Sequence, residues 1–135
     1  MAYWKDSLLV GVSQIDEQHH KLVESLDKLM DACKQGKGKT EIAQALNFTV
    51  TYTKEHFTDE ENLQERYAYP AFNAHKRLHA QYIMKMDSLV TEFEKTGPSA
   101  SLAGKLDKTL AEWIIDHINT EDKRLGEYIR QAGGK

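Results

Sequence analysis

This chain has one cysteine, two prolines, few aromatic residues (9%) and no long apolar run. The lone Cys33 cannot close an internal disulfide, so it reads as a small buried apolar residue and fits a reducing compartment. With only two prolines in 135 residues, long stretches are free to be helical. No apolar stretch approaches the roughly 20 residues of a membrane span, and Met1-Ala2-Tyr3-Trp4-Lys5-Asp6 does not lead into the apolar region of a secretion signal. The expected location is therefore cytoplasmic, with no membrane partner. Neither charge sign dominates: 18 basic against 21 acidic residues give a net charge of −3 with no basic stripe, which argues against nucleic acid as a partner. What is present, 29% charged and 40% hydrophobic residues interleaved, suits one soluble helical domain over 1–135, since this length supports one core and not two comfortable ones.

Residues 1–14 carry apolar side chains without a helical period, Trp4, Leu8, Leu9, Val10 and Val12, interrupted by Gly11 and Ser13. They are expected to form an ordered arm packed along the rest. A first helix over about 15–35, capped by Ser13 or Asp16, shows Ile15, His19, Leu22, Val23, Leu26, Leu29, Met30 and Cys33 on one face. His20 turns about 100° away and reads as a surface residue. Gly36 and Gly38 end this helix, and a second follows over about 40–67, with Thr40 a plausible cap and Ile42, Leu46, Thr49, Tyr52, His56, Glu60 and Leu63 along its stripe. Asp59 and Glu61, flanking Glu60, read as solvated charges. Pro70 suits the first turn of a third helix over about 70–95. Its core residues Phe72, His75, His79, Tyr82, Met86, Leu89 and Phe93 alternate steps of three and four, the seam of a left-handed bundle. After Gly97-Pro98, a fourth helix over about 99–131 presents Leu102, Leu106, Leu110, Trp113, Ile114, His117, Ile118, Leu125 and Ile129, and the tail from Ala132 to Lys135 is expected to fray. Four amphipathic helices with short connections predict an all-α, up-down-up-down four-helix bundle.

Histidines stand where apolar residues belong. On a helix an i,i+4 pair lies within about 40° of one face, so His56 with Glu60 and His75 with His79 each present two metal-type ligands side by side. His19 and His117 face the same core, and each buried imidazole needs a partner. Imidazole suits Fe, Zn, Cu or Ni, and a carboxylate can bridge two cations. Suppose two metals share two carboxylates and a solvent-derived bridge, with the five imidazoles divided three and two. One ion then has six ligands and the other five, leaving a position open for a small molecule. The second carboxylate is ambiguous. Glu121, at i+4 from His117, lies about 40° off its direction, whereas Asp122, at i+5, lies about 140° off in an ideal helix. A π-type bulge would reverse that preference.

These residues form a pattern. Ile15-Asp16-Glu17-Gln18-His19, His56-xxx-Glu60, Tyr69-Pro70, His75-xxx-His79 and His117-Ile118-xxx-Asp122, together with the arm bearing Trp4 and Gly11-Val12, closely resemble the hemerythrin family, particularly its bacterial single-domain members. The resemblance covers nearly the whole chain and implies a four-helix bundle holding two non-haem iron ions, oxo- or hydroxo-bridged, that bind dioxygen reversibly. It implies that His75, His79 and His117 ligate one iron, that His19 and His56 ligate the other, and that Glu60 and Asp122 bridge, which overrules the ideal-helix preference for Glu121. Trp113, Ile114 and Ile118 match positions that line an apolar oxygen pocket in the family, although ordinary core packing explains them equally well.

Two kinds of function are open at this stage. One is a binding protein for oxygen storage, delivery or sensing; the other is a di-iron oxidase, peroxidase or NO-handling enzyme. Ferritin-like di-iron proteins use carboxylate-rich Glu-x-x-His motifs. Five imidazoles with two carboxylates carry fewer anionic donors, stabilise strongly oxidised iron less well, and so favour reversible binding.

Overall fold

The computed structural model describes residues 3–134. Met1 and Ala2, the start of the expected arm, and Lys135 of the expected tail lie outside the described residues. Four helices form an antiparallel bundle: α1 (Ser13–Lys34), α2 (Lys39–Arg66), α3 (Phe72–Thr96) and α4, a continuous rod over 100–131. α1 packs on α2 and α4, and α3 packs on the same two from the opposite side. The described residues include no strand.

The helix starts differ in detail from the expectations. α1 begins at Ser13 with Val12 as its cap residue and no side-chain cap, because Asp16 is engaged elsewhere: its carboxylate accepts from the backbone N–H groups of Val10 (2.7 Å) and Gly11 (3.1 Å). Asp16 therefore tethers the arm instead of capping the helix. Gly38, not Thr40, precedes α2, and Pro70 sits in the turn before α3 rather than in its first turn. Among the described residues only Ser99, before α4, caps with its side chain, accepting from Leu102 N–H at 3.0 Å. Tyr128 secures the α2–α3 turn by donating its hydroxyl to the carbonyls of Tyr67 (3.0 Å) and Ala68 (3.2 Å), where Ala68 holds φ = 54°.

The arm is ordered. Leu8, Val10 and Val12 are buried, the Tyr3 N–H donates to Asp27 (2.8 Å), and the Tyr3 hydroxyl donates to Asp107 in a short hydrogen bond. Gly126 of α4 permits this packing, since a Cβ there would overlap the Val10 carbonyl. The C-terminal turn is not frayed over its described part. Gly134 N–H donates to Ile129 O (2.8 Å) and Gly133 N–H to Arg130 O (3.1 Å), closing the helix with backbone bonds.

α4 departs from regular α geometry twice, running as π-helix over Asp107–Glu112 and again over Ile118–Asp122. The core spacing explains why. Leu102, Leu106, Leu110, Ile114, Ile118 and Asp122 are all buried at successive steps of four. Five such steps advance about 2000° in a regular helix, about 200° beyond five full turns. Two π segments, each accommodating one surplus residue of about 100°, bring these side chains back onto one face.

Candidate metal centre

His19, His56, His75, His79, His117, Glu60 and Asp122 converge inside the bundle, all at most 3% exposed. α1 supplies His19, α2 supplies His56 and Glu60 by regular i,i+4 spacing, α3 supplies His75 and His79, and α4 supplies His117 and Asp122. Asp122 reaches the centre because the π segment Ile118–Asp122 turns an i+5 residue beneath His117, with Nε2–Oδ1 at 3.2 Å. Glu121, the residue that an ideal helix would point inward, instead pairs with the exposed Arg124 at 3.2 Å.

The polar atoms form two groups that share both carboxylates. Glu60 Oε1 lies 3.0 Å from His75 Nε2 and 3.1 Å from His79 Nε2, and Asp122 Oδ1 lies 3.0 Å from His75 Nε2. The other oxygens face the second group: Glu60 Oε2 is 3.3 Å from His56 Nε2 and 3.5 Å from His19 Nε2, and Asp122 Oδ2 is 3.0 Å from His19 Nε2. Each carboxylate thus gives one oxygen to each group.

These atoms are close without being well hydrogen-bonded. His19 Nε2, His79 Nε2, both Glu60 oxygens and Asp122 Oδ1 have no hydrogen-bond partner despite complete burial, and His75 Nε2 lies 3.0 Å from His117 Nε2. Lone pairs aimed at a common point produce this arrangement. Donors about 2.1 Å from an octahedral ion sit about 3.0 Å from one another along each edge, which matches the spacings here. The residues fit a metal ion in each group.

Charge tells the same story. Burial disfavours charge on His19, His75 and His79, but the carboxylates beside them outweigh it: Asp122 and Glu60 push His19 up to about 9 and His75 up to about 10, and His79 is also raised. At His56 burial prevails and its pKa falls. Burial likewise opposes charge on the two carboxyls, yet the imidazoles around them hold Glu60 and Asp122 well below the usual carboxylate range. The site concentrates negative charge that cations, whether protons or metals, must balance.

Around this centre, Phe57 stacks on His79 (centroids 3.8 Å), and the half-buried Trp113 stacks on His117 (4.8 Å) and Tyr82 (4.4 Å). Ile114 and Ile118 are buried in the adjoining core. Tyr82 is wholly buried and donates its hydroxyl to Leu110 O at 3.0 Å. His20 is exposed, and Cys33 is half-buried rather than buried. A second layer went unread in the sequence. His56 Nδ1 meets Gln18 Oε1 at 2.7 Å, Gln18 Nε2 donates to Asp59 at 3.0 Å, and His79 Nδ1 donates to Glu61 at 2.9 Å. Asp59 and Glu61 are therefore not merely solvated charges. The signal available was adjacency: Gln18 precedes His19, and the acidic pair brackets Glu60.

Fold and site together define a helical bundle with a buried histidine–carboxylate centre suited to metal ions. A family model described as the hemerythrin HHE cation binding domain matches residues 10–129. The chain belongs to the hemerythrin family. It is 32% identical over 129 residues to a bacteriohemerythrin of Pseudomonas aeruginosa, covering 96% of this chain and 82% of that one. It is 24% identical over 131 residues to a bacteriohemerythrin of Campylobacter jejuni, covering 97% of each. A crystal structure of a hemerythrin point mutant superposes with a TM-score of 0.83 at 25% identity, covering 96% of this chain and 98% of that one. Among the described residues no helix is long and apolar enough to cross a membrane.

Proposed function

We propose that this chain binds dioxygen reversibly at a non-haem di-iron centre, in oxygen storage, delivery or sensing. The observation that supports this most is the division of the Glu60 and Asp122 oxygens between a three-histidine group and a two-histidine group. In this reading His75, His79 and His117 would hold one iron, His19 and His56 would hold the other, and Glu60 and Asp122 would serve both. When bound, iron supplies the electrons and the free coordination position that dioxygen needs. The chain's own residues bind and orient. The π segment of α4 presents Asp122, Glu60 ties the two groups together, and Ile114, Ile118 and the Trp113 ring exclude water from the three-histidine side. With only two carboxylates among seven ligands, the donor set favours release of dioxygen over its activation, and the relatives' name, bacteriohemerythrin, is consistent with this reading.

The test is an absorption spectrum of anaerobically reduced, iron-quantified protein before oxygen, after oxygen and after its removal. Two irons per chain, with a charge-transfer band that comes and goes with oxygen, are expected. A band that persists after oxygen is removed would replace the carrier reading with a redox enzyme. Protein without iron would overturn the di-iron centre.

A further inference from the structure

Asp59, Glu60 and Glu61 are consecutive on α2 and serve different partners. Glu60 lies between the two groups. Glu61, 19% exposed at its side chain, contacts His79 of the three-histidine group directly, with Oε2 2.9 Å from Nδ1. Asp59 reaches His56 of the two-histidine group only through Gln18. The network fixes every proton in it. A carboxylate only accepts, so Asp59 must receive the Gln18 amide N–H, which turns Gln18 Oε1 toward His56 and makes His56 Nδ1 a donor. The same logic makes His79 Nδ1 a donor to Glu61. Both rings therefore turn Nε2 to the centre as the atom able to hold an ion, but they are backed unequally: His79 by a full negative charge, His56 by a neutral amide with the charge one link further away.

An imidazole that donates to a carboxylate becomes a stronger ligand, and such outer partners commonly govern 10–100-fold of metal affinity. We propose that Glu61 and the Gln18–Asp59 pair are positioning residues that make the two metal sites unequal, so that the three-histidine ion is held more tightly and the two-histidine ion is the first to leave. This rests on the di-iron reading above and adds to it an order of affinity set from outside the ligand shell.

The experiment titrates iron-loaded full-length protein with a chelator and follows iron release, with X-ray absorption counting the imidazoles on the ion retained after the first step. The wild-type chain is expected to release iron in two steps and to retain an ion with three imidazoles. Glu61→Gln keeps the shape and the hydrogen bond but removes the charge. It should weaken the retained ion by about 10–100-fold and merge the two steps, leaving the first step and the helical content unchanged. Gln18→Glu combined with Asp59→Asn moves one negative charge a link closer to His56 at constant net charge, and should tighten the first-leaving ion by a similar factor. Equal shifts of both steps, or none, in either variant would overturn the proposal, as would a retained ion with two imidazoles. A wild-type protein holding fewer than two irons would fail the di-iron reading itself before any variant is compared.

Discussion

Helices α3 and α4 lie side by side, and each contributes two residues to the same centre, yet they keep those residues in line by different means. In α3 the buried positions His75, His79, Tyr82, Met86, Leu89 and Phe93 follow steps of three and four, which average close to one helical turn and need no distortion. In α4 one buried line, Leu102, Leu106, Leu110, Ile114, Ile118 and Asp122, follows steps of four with Ala111 and His117 buried beside it, and two π segments absorb the surplus. An interval between candidate ligands thus carries meaning only together with the backbone that spans it.

The sharpest way to break that comparison is to remove one residue from each helix. Deleting the exposed Arg77 of α3 should rotate everything beyond it by about 100°, turning Tyr82, Met86 and Leu89 out of the core. The expected result is loss of folding, read as collapse of helical circular dichroism. Deleting the exposed Thr120 of α4 removes one surplus residue from a π segment, leaves Asp122 at i+4 from His117, and should preserve helical content and bound iron. Collapse in both would show that the π segment is not a one-residue surplus.

Next in size is the choice of carboxylate. Asp122→Ala should lose most bound iron, whereas Glu121→Ala removes only a surface pair with Arg124 and should keep two irons per chain by metal analysis. Equal losses would return the bridge to the regular-helix position.

Charge offers a third contrast. In metal-stripped protein the raised pKa values of His19 (about 9) and His75 (about 10) mean that these imidazoles stabilise the fold fully below their ordinary 6.5 and cease to do so as pH climbs through 9 to 10. Glu60 and Asp122, shifted downward, contribute above the ordinary carboxylate range and lose that contribution in acid. The Tm of stripped protein should therefore fall progressively between about pH 6.5 and 10, while iron-loaded protein, whose imidazoles are already deprotonated, should stay level over that window. Parallel alkaline declines would contradict this assignment of charge.

Two smaller effects complete the series. Gly126→Ala should push the arm away from α4 at Val10 and cost about 1–3 kcal/mol in chemical denaturation; an unchanged midpoint would show that the arm yields freely. His20→Ala, on the exposed face of α1, should alter stability by no more than about 0.5 kcal/mol and leave the iron content intact; loss of iron would mean that the α1 face has been misjudged.

The bundle and most of the cluster were legible in the sequence for a physical reason. His19, His56, Glu60, His75 and His79 sit on helices of ordinary pitch, where apolar periodicity fixes the direction of each residue. Asp122 was legible only through family resemblance, because a regular helix points it away. A sign of the distortion was nonetheless present, since Leu102, Leu106, Leu110, Ile114, Ile118 and Asp122 recur at every fourth position over five successive steps. Caps were read less well. Asp16 has the chemistry of a helix cap but finds the N–H groups of Val10 and Gly11 instead, a choice made by the path of the arm. Asp59 and Glu61 read as solvated charges, and Gln18 carried no individual role, because periodicity reports the direction of a Cβ and not the reach of a long polar side chain back toward a buried ring.

The four-residue rhythm along one line of α4 also has a meaning in the coding sequence. A surplus residue that leaves every later side chain on its original face equals one additional in-frame codon, and each π segment of α4 has room for one. The second separates His117 from Asp122 by one more codon than a regular helix requires, so the acidic residue of this site can be moved along the gene without being moved in space.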